Sequence, residues 1–295
     1  MLTTIILTYN EQRHIRRCLE NACRYSKKVY VVDSFSTDRT CEIARECGAE
    51  VLQNKYVNQA QQFQWALDNC KIDTEWTMRL DADEYLTPEL EQELMTTLPQ
   101  LDNNINGINL RLGVIFMGRL LKHGYIKPVT ILRVWRTGKA YMEQRWMDER
   151  CVLRDGEAIT LKNRFIDHNL NGLTFFTNKH NNYSNREVMV YFGSELGLDG
   201  SDDKNASRNA SKGKYYALPP FFRAFLYFFI RYFIFLGFLD GKAGFIWATL
   251  QAYWYRFLID SKLHEIKVRL GKNPTKEELM AYINEYYNIF LTKNN

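Results

Sequence analysis

Four short apolar runs, each separated from the next by a helix-length segment, dominate the first hundred residues and leave few folds open. Residues 2–8, 29–32, 49–52 and 76–80 are strand-length and rich in β-branched or aromatic side chains. Between them, residues 11–25 carry Ile15, Cys18, Leu19 and Ala22 at helical spacing; residues 38–47 read as a helix stopped by Gly48, and residues 59–69 as another. Such repeats join by right-handed crossovers into a mostly parallel sheet with helices on both faces. Ligands of these sheets sit beyond the carboxyl ends of the strands. The polar residues directly after Leu7, Val32 and Leu80 are therefore the first candidates for function.

Residues 88–98 predict a further helix. From Ile105 to Phe165 the pattern changes to short alternating segments (108–112, 131–135, 151–153), which read as added antiparallel strands and loops. Residues 174–196 are helical again, and the polar, mixed-charge stretch 199–214 reads as a linker or mobile loop. The expected organisation is a catalytic domain over 1–198, with a nucleotide-binding half (1–100) and an acceptor half (101–198). After the linker, residues 215–295 form an amphipathic helical region that associates with a membrane.

That last assignment comes from a shift in composition. Residues 221–239 are almost wholly apolar, broken by Arg223 and Arg231. A helix of that length reaches about 29 Å, near the roughly 30 Å of a bilayer core. Arg231 would then lie near mid-depth, at a cost of roughly 2.5–3.5 kcal/mol. The two arginines stand about 80° apart around a helix, on one side. The sequence thus predicts a helix lying in the interface with its arginines snorkelling toward headgroups, not a span. Ile246, Leu250, Tyr253, Trp254, Phe257 and Leu258 continue as a helical stripe, and Trp247, Tyr253, Trp254 and Tyr255 suit the wet edge of a bilayer. Two core helices of a soluble domain are the alternative. Residues 276–290 close the chain as a helix, with Thr275 and Glu278 set as a capping box.

The chain has 295 residues, 46% hydrophobic and 25% charged, which suits one or two globular domains and excludes wholesale disorder or a collagen-like chain. A net charge of +5 is too small to argue for nucleic acid and is compatible with an anionic membrane surface. The six cysteines show no zinc spacing and read as free thiols in a reducing compartment. Ile5-Ile6-Leu7 runs straight into Tyr9-Asn10-Glu11, a strand and not an export signal. The cytoplasm is the expected location.

The sharpest chemical signal is Leu80-Asp81-Ala82-Asp83-Glu84. Two carboxylates one residue apart, just past a strand, suit a divalent cation shared with a phosphate; a merely solvated acidic turn is the plainer reading. Thr8-Tyr9-Asn10-Glu11 follows the first strand, and Asp33-Ser34-Phe35-Ser36-Thr37-Asp38 the second. These polar groups can hold a nucleotide's base and ribose, with Tyr9 packing on the base and Asp33 accepting from a ring N–H. Ser36 and Asp38 also fit as caps of the next helix.

Together the three stretches resemble the metal-dependent, inverting family 2 glycosyltransferases of the GT-A fold, a resemblance that covers the first hundred residues. Residues 146–149, 165–169 and 178–183, the run Gly237-Phe238-Leu239-Asp240-Gly241-Lys242, and residues 254–258 narrow it toward the bacterial branch that adds glucose to lipopolysaccharide inner core. One departure is Gln64, where the family commonly has Asn in the third helix. The resemblance implies a Rossmann-like α/β fold and a UDP-sugar donor pocket of Thr8, Tyr9, Asn10, Glu11, Asp33, Ser36, Gln62, Arg79, Asp81 and Ala82. Within it Asp33 would read the uracil and Asp81 would face the ribose or sugar. It implies Mg²⁺ or Mn²⁺ on Asp83, with His168 as a further metal ligand or diphosphate contact; a structural histidine is the other reading. It places the acidic pair Asp148 and Glu149 in the acceptor loop, Glu149 favoured as the base, against a salt bridge with Arg145 or Arg150. Arg133 and Arg136 would stabilise phosphates or stand as exposed strand arginines. The implied activity is transfer of a hexose, glucose first, from UDP-glucose to a sugar hydroxyl of a lipid-attached glycan. The place would be the inner face of the cytoplasmic membrane, with no nucleic acid involved. A polyprenyl-phosphate sugar transferase and a silent nucleotide-sugar or glycan binding module are the alternatives.

Overall fold

Strand β1 (Leu2–Thr8) is buried along its whole length, as an apolar β-branched run must be when covered on both faces. Parallel partners flank it: β2 (Lys28–Asp33) on one side and β4 (Trp76–Asp81) on the other, with β3 (Glu50–Gln53) beyond β2. The crossover helices are α1 (Ile15–Ala22), α2 (Thr40–Glu46) and α3 (Gln59–Asn69), close to the expected segments. The regular part of α1 is shorter than residues 11–25, with hydrogen-bonded turns at both ends. The computed structural model describes residues 1–125, 129–143, 150–196, 213 and 215–287, which fall into two compact units. The boundary near Asn171 lies earlier in the chain than the one expected at residue 198, and residues 199–212 lie outside the described ones.

In the first unit the sheet order is β3-β2-β1-β4-β8-β6-β11-β5, with β7 (Arg119–Leu121) on β6. Here β5 is Glu84–Leu86, β6 Ile105–Phe116, β8 Thr130–Arg136 and β11 Glu157–Asp167. The β3-β2-β1-β4 half is parallel, as expected; β8 joins it antiparallel to β4. The added strands are not all antiparallel: β11 runs parallel to β6, so the sheet is mixed. Short β9 (Ala140–Met142) and β10 (Cys151–Leu153) form a separate ribbon. Helix α4 (Pro88–Thr97) begins with Thr87 as its cap and Pro88 in its first turn. Ile6, Val31, Leu19 and Leu90 contribute to a core on one face of the sheet, and Ile5, Tyr30, Phe63 and Trp135 to a core on the other.

The second unit is helical: α5 (Leu173–Tyr191), α6 (Gly193–Leu196), α7 (Phe222–Phe229), α8 (Gly241–Trp247), α9 (Tyr255–Leu270) and α10 (Lys276–Tyr287). Its core joins Val188 and Met189 of α5 to Ile259 and Leu263 of α9 and Leu279 and Ile283 of α10. The capping box is present, with Thr275 N donating to Glu278 at 2.8 Å and Glu278 N to Thr275 Oγ1 at 3.3 Å. The single helix expected over residues 221–239 does not form. After α7 the chain makes a wider π turn (Ile230–Ile234), enters the left-handed region at Leu236 (φ 57°), and turns again at Gly237–Asp240. A cap-like reversal ends the helix where the apolar composition gave no sign of a break.

The two arginines do not snorkel. Arg223 is 3% exposed and donates to both carboxylate oxygens of Asp260, to Oδ1 at 2.9 Å from Nε. Phe221 N adds a bond to the same carboxylate at 2.8 Å. Arg231 donates through Nε to the Gly124 carbonyl at 2.6 Å. Each finds a fixed acceptor within its own unit, to which Gly124 also belongs, a closer partner than a distant headgroup. The Arg223–Asp260 pair tests this description: Asp260→Ala leaves a buried guanidinium uncompensated, expected to cost about 3–5 kcal/mol in denaturant unfolding.

Candidate active site

Register puts the candidate groups on one edge of the sheet. Thr8 lies opposite Asp33 and Leu7 opposite Asp81, so the ends of β1, β2 and β4 open together at their carboxyl side. The turn after β2 is organised by Asp33. Its Oδ1 accepts from Thr8 Oγ1 at 3.1 Å and Ser36 Oγ at 2.5 Å. Its Oδ2 accepts from Ser36 N at 2.8 Å and Gln53 Nε2 at 3.2 Å. These four donors occupy the acceptor positions of a carboxylate, and Asp33 is fully buried. The structure therefore gives Asp33 a task in holding the turn.

This turn and its neighbour after β1 each present an aromatic group outward. Tyr9 and Phe35 are both more than half exposed. Asn10 (φ 56°) and Phe35 (φ 60°) sit in the left-handed region, a strained backbone for such residues. The strain is held by Asn10 N donating to Ser36 Oγ at 2.8 Å and by Thr37 N donating to Asn10 Oδ1 at 2.9 Å. Asp38 accepts from Thr40 N at 2.9 Å, the capping role of the two weighed for it. Gln62 is also a brace: it is buried, donates to Ser34 Oγ at 3.1 Å and accepts from Asn54 at 2.8 Å, so it does not line a donor pocket with its side chain. Ala82 is buried too. Gln64 accepts from Met142 N at 3.1 Å, tying α3 to β9.

After β4 the carboxylates divide into two kinds. Glu84 is buried, and its Oε1 meets Arg133 of β8 at 2.5 Å while its Oε2 accepts from Asp81 N at 2.9 Å. Burial pushes the Glu84 carboxyl up, and the Arg133 guanidinium opposes that rise. Asp81 pairs with Arg79 through Oδ1 and with Arg133 through Oδ2, each at 3.4 Å. Asp83 accepts from Asn169 Nδ2 at 2.9 Å, and among the described residues no arginine reaches its carboxylate. Arg133 is thus a buried counter-charge and not an exposed strand arginine. Arg136 pairs with Glu75 and stacks on Trp76, away from these carboxylates.

Pairing of β11 with β5, Asp167 opposite Glu84, brings the 168–170 loop beside Asp83. His168 N donates to the Asp83 carbonyl at 3.0 Å. Helix α1 locks this loop with two side chains absent from the expected set. Arg17 donates to the carbonyls of Asp83 at 3.2 Å and His168 at 2.7 Å, and to His168 Nδ1 at 3.1 Å. His14 accepts from Leu170 N at 2.8 Å and pairs with Glu11 at 2.5 Å. Their spacing of three residues on a helix facing the sheet was the only available signal. Burial first, then Arg17 and His14, lower the His168 pKa below its ordinary 6.5. Asp148 and Glu149 lie outside the described residues, as does Arg145.

Burial alone would raise the Asp33 carboxyl, but its bonds from Ser36 and Gln53 outweigh that and hold it below the ordinary 3.8. A depressed folded-state value contributes stability that is complete above the unfolded pKa and lost as pH falls through the folded one. Asp33→Asn is therefore expected to melt below the wild type at neutral pH, with the gap closing as pH drops under about 4. Melting curves across pH measure this.

Comparison with known proteins shows what the first half of the chain is similar to. Residues 3–147 match the family model described as Glycosyl transferase family 2. An uncharacterized glycosyltransferase from Rickettsia typhi is 36% identical over 93 residues, 32% of this chain and 31% of the relative. The glycosyltransferase SunS of Bacillus subtilis is 30% identical over 90 residues, 30% of this chain and 21% of that one. The match thus spans about a third of the length of the first of these relatives. Among solved structures, TarS residues 1–349 of S. aureus with UDP-GlcNAc align over 92% of each chain at 14% identity and a TM-score of 0.44. Glucosyl-3-phosphoglycerate synthase from Mycobacterium tuberculosis, crystallised with Mn²⁺ and UDP, aligns over 39% of this chain and 44% of that chain, at 15% identity and a TM-score of 0.33. Residues 3–147, which hold every strand of the parallel half, therefore carry the glycosyl transferase family 2 pattern.

Proposed function

We propose that the chain is a metal-dependent, inverting glycosyltransferase of the GT-A fold. It moves a hexose, glucose first among the candidates, from UDP-glucose to a sugar hydroxyl of a lipid-attached surface glycan such as lipopolysaccharide core. It works at the inner face of the cytoplasmic membrane. The observation that carries this reading is the division of charge after β4: Asp81 and Glu84 are matched by arginines, while Asp83 is left beside the His168–Asn169 loop. A single carboxylate at a strand's carboxyl end fits a cation that takes its remaining ligands from water and a diphosphate. Asp83 would hold Mg²⁺ or Mn²⁺ there, and His168 would serve as a neighbouring ligand or diphosphate contact. The cation, when bound, offsets the charge developing on the leaving phosphate.

The chain's own residues supply the rest. The turn held by Asp33 offers Tyr9 and Phe35 as apolar faces for a base. Asp81, held in place by Arg79 and Arg133, is positioned to accept from sugar hydroxyls. An inverting displacement needs a base on the face opposite the departing nucleotide. The family resemblance gives that role to Glu149, with Asp148 beside it.

Two experiments test the reading. Asp83→Ala is expected to abolish sugar transfer, and the thermal stabilisation by UDP-glucose that requires Mn²⁺, without lowering the melting temperature of the free protein. Stabilisation unchanged in that variant would overturn the metal assignment. Glu149→Gln is expected to lower kcat by roughly 10²–10⁴-fold with donor affinity preserved. Full activity in Glu149→Gln would instead favour a polyprenyl-phosphate acceptor, whose phosphate oxygen needs little base.

A further inference from the structure

We infer that the elbow formed by residues 222–247 is a hydrocarbon anchor, which dips into one leaflet and is held by acyl-chain contact and not by headgroup charge. The inference deepens the membrane-surface reading above, but the chemistry of the surface stands on its own. Phe222, Phe225, Phe229 and Phe233 recur every three or four residues and so share one face, with exposures of 41–55%. Around the bend Leu236 and Phe245 are exposed as well, at 44% and 49%. Contiguous apolar exposure on this scale marks an interaction surface.

The shape favours a leaflet over a crossing. No single helix among the described residues is long and apolar enough to span; Phe222–Ile234 and Gly237–Leu270 pass only as a pair bent by 71°. The bend is built tight: a Cβ at Gly244 would stand 2.4 Å from the Gly237 carbonyl. Leu236 holds a left-handed backbone at the apex while exposing an aliphatic side chain, a conformation and a residue that a water-facing turn would give to Gly or Asn.

The charges of the same stretch name the occupant. Arg223 is consumed by Asp260, and Arg231 by the Gly124 carbonyl and the rings of Tyr125 and Tyr227. Asp240, 2% exposed, accepts from Lys122 N at 3.0 Å and from His123 N at 2.9 Å and Nδ1 at 3.0 Å. Lys242 is left at the surface. A protein partner is met by about one hydrogen bond per 100–200 Å²; the phenylalanine side chains of this face carry no hydrogen-bonding group. Lipid acyl chains ask for none.

The test uses the full chain and vesicles of phosphatidylcholine, which carry no net charge. Co-sedimentation is expected at about 0.1 M salt and undiminished at about 0.5 M, where surface charge is screened. Phe225→Glu combined with Phe229→Glu is expected to weaken partitioning at least ~tenfold, with Mn²⁺-dependent UDP binding intact. As a check that needs no variant, lipids brominated on the acyl chain should quench the tryptophan fluorescence of the wild type. A requirement for anionic lipid, release by salt, unaltered partitioning of the double variant, or absence of quenching would overturn the anchor while leaving the transferase reading untouched. Vesicle binding without UDP-glucose binding would do the reverse.

Discussion

Three carboxylates within four residues repel one another, by as much as a few kcal/mol per pair in a half-buried setting. The turn after β4 exists because Arg79 and Arg133 absorb two of them. Arg79 comes from β4 itself; Arg133 arrives from β8, and only because β8 pairs antiparallel with β4, Met78 opposite Val134. The mixed half of the sheet thus helps to build the acidic turn after β4 and is not an appendage to it. Without that pairing, Glu84 would be a buried carboxylate with no counter-charge, and the Asp81–Asp83 turn would have no reason to keep its shape.

A second constraint sits one strand away. The turn after β2 runs through left-handed backbone at Phe35, and its neighbour after β1 does so at Asn10. Strain of this kind costs about 1–3 kcal/mol per residue and persists only where surrounding bonds over-determine it. Asp33 is the hub of those bonds. What the turn gains is two aromatic side chains held out of the core beside a set of strand ends, an arrangement that hydrophobic burial alone would disfavour.

How much of this was legible beforehand differs by region. The parallel half was readable because buried parallel strands are continuous apolar runs and their crossover helices carry a stripe; residues 59–69 formed a helix over that very span. The polar residues at the carboxyl ends of β1, β2 and β4 were readable for the same reason, since strand ends locate them. Their roles were less so. Asp33 and Gln62 proved to be internal braces, because whether a polar side chain meets a ligand or a neighbour depends on partners such as Thr8, Gln53 and Asn54 that are distant in sequence. Arg17 and His14 gave almost no signal, being ordinary polar positions on a helix until the 168–170 loop is folded against them.

The sequence by itself determined the strand–helix alternation, the polar residues gathered at the carboxyl ends of the parallel strands, the acidic turn, and the apolar character of the C-terminal helices. These follow from periodicity and burial, which act locally. Only the tertiary structure decided which carboxylates after β4 pair with arginines and which meets Asn169 instead, that β11 runs parallel to β6, and that the chain bends at Leu236. It also turned Arg223 and Arg231 inward, toward Asp260 and the Gly124 carbonyl, leaving the phenylalanines outside. Charge pairing and chain reversal depend on groups far apart along the chain, and no local pattern records them.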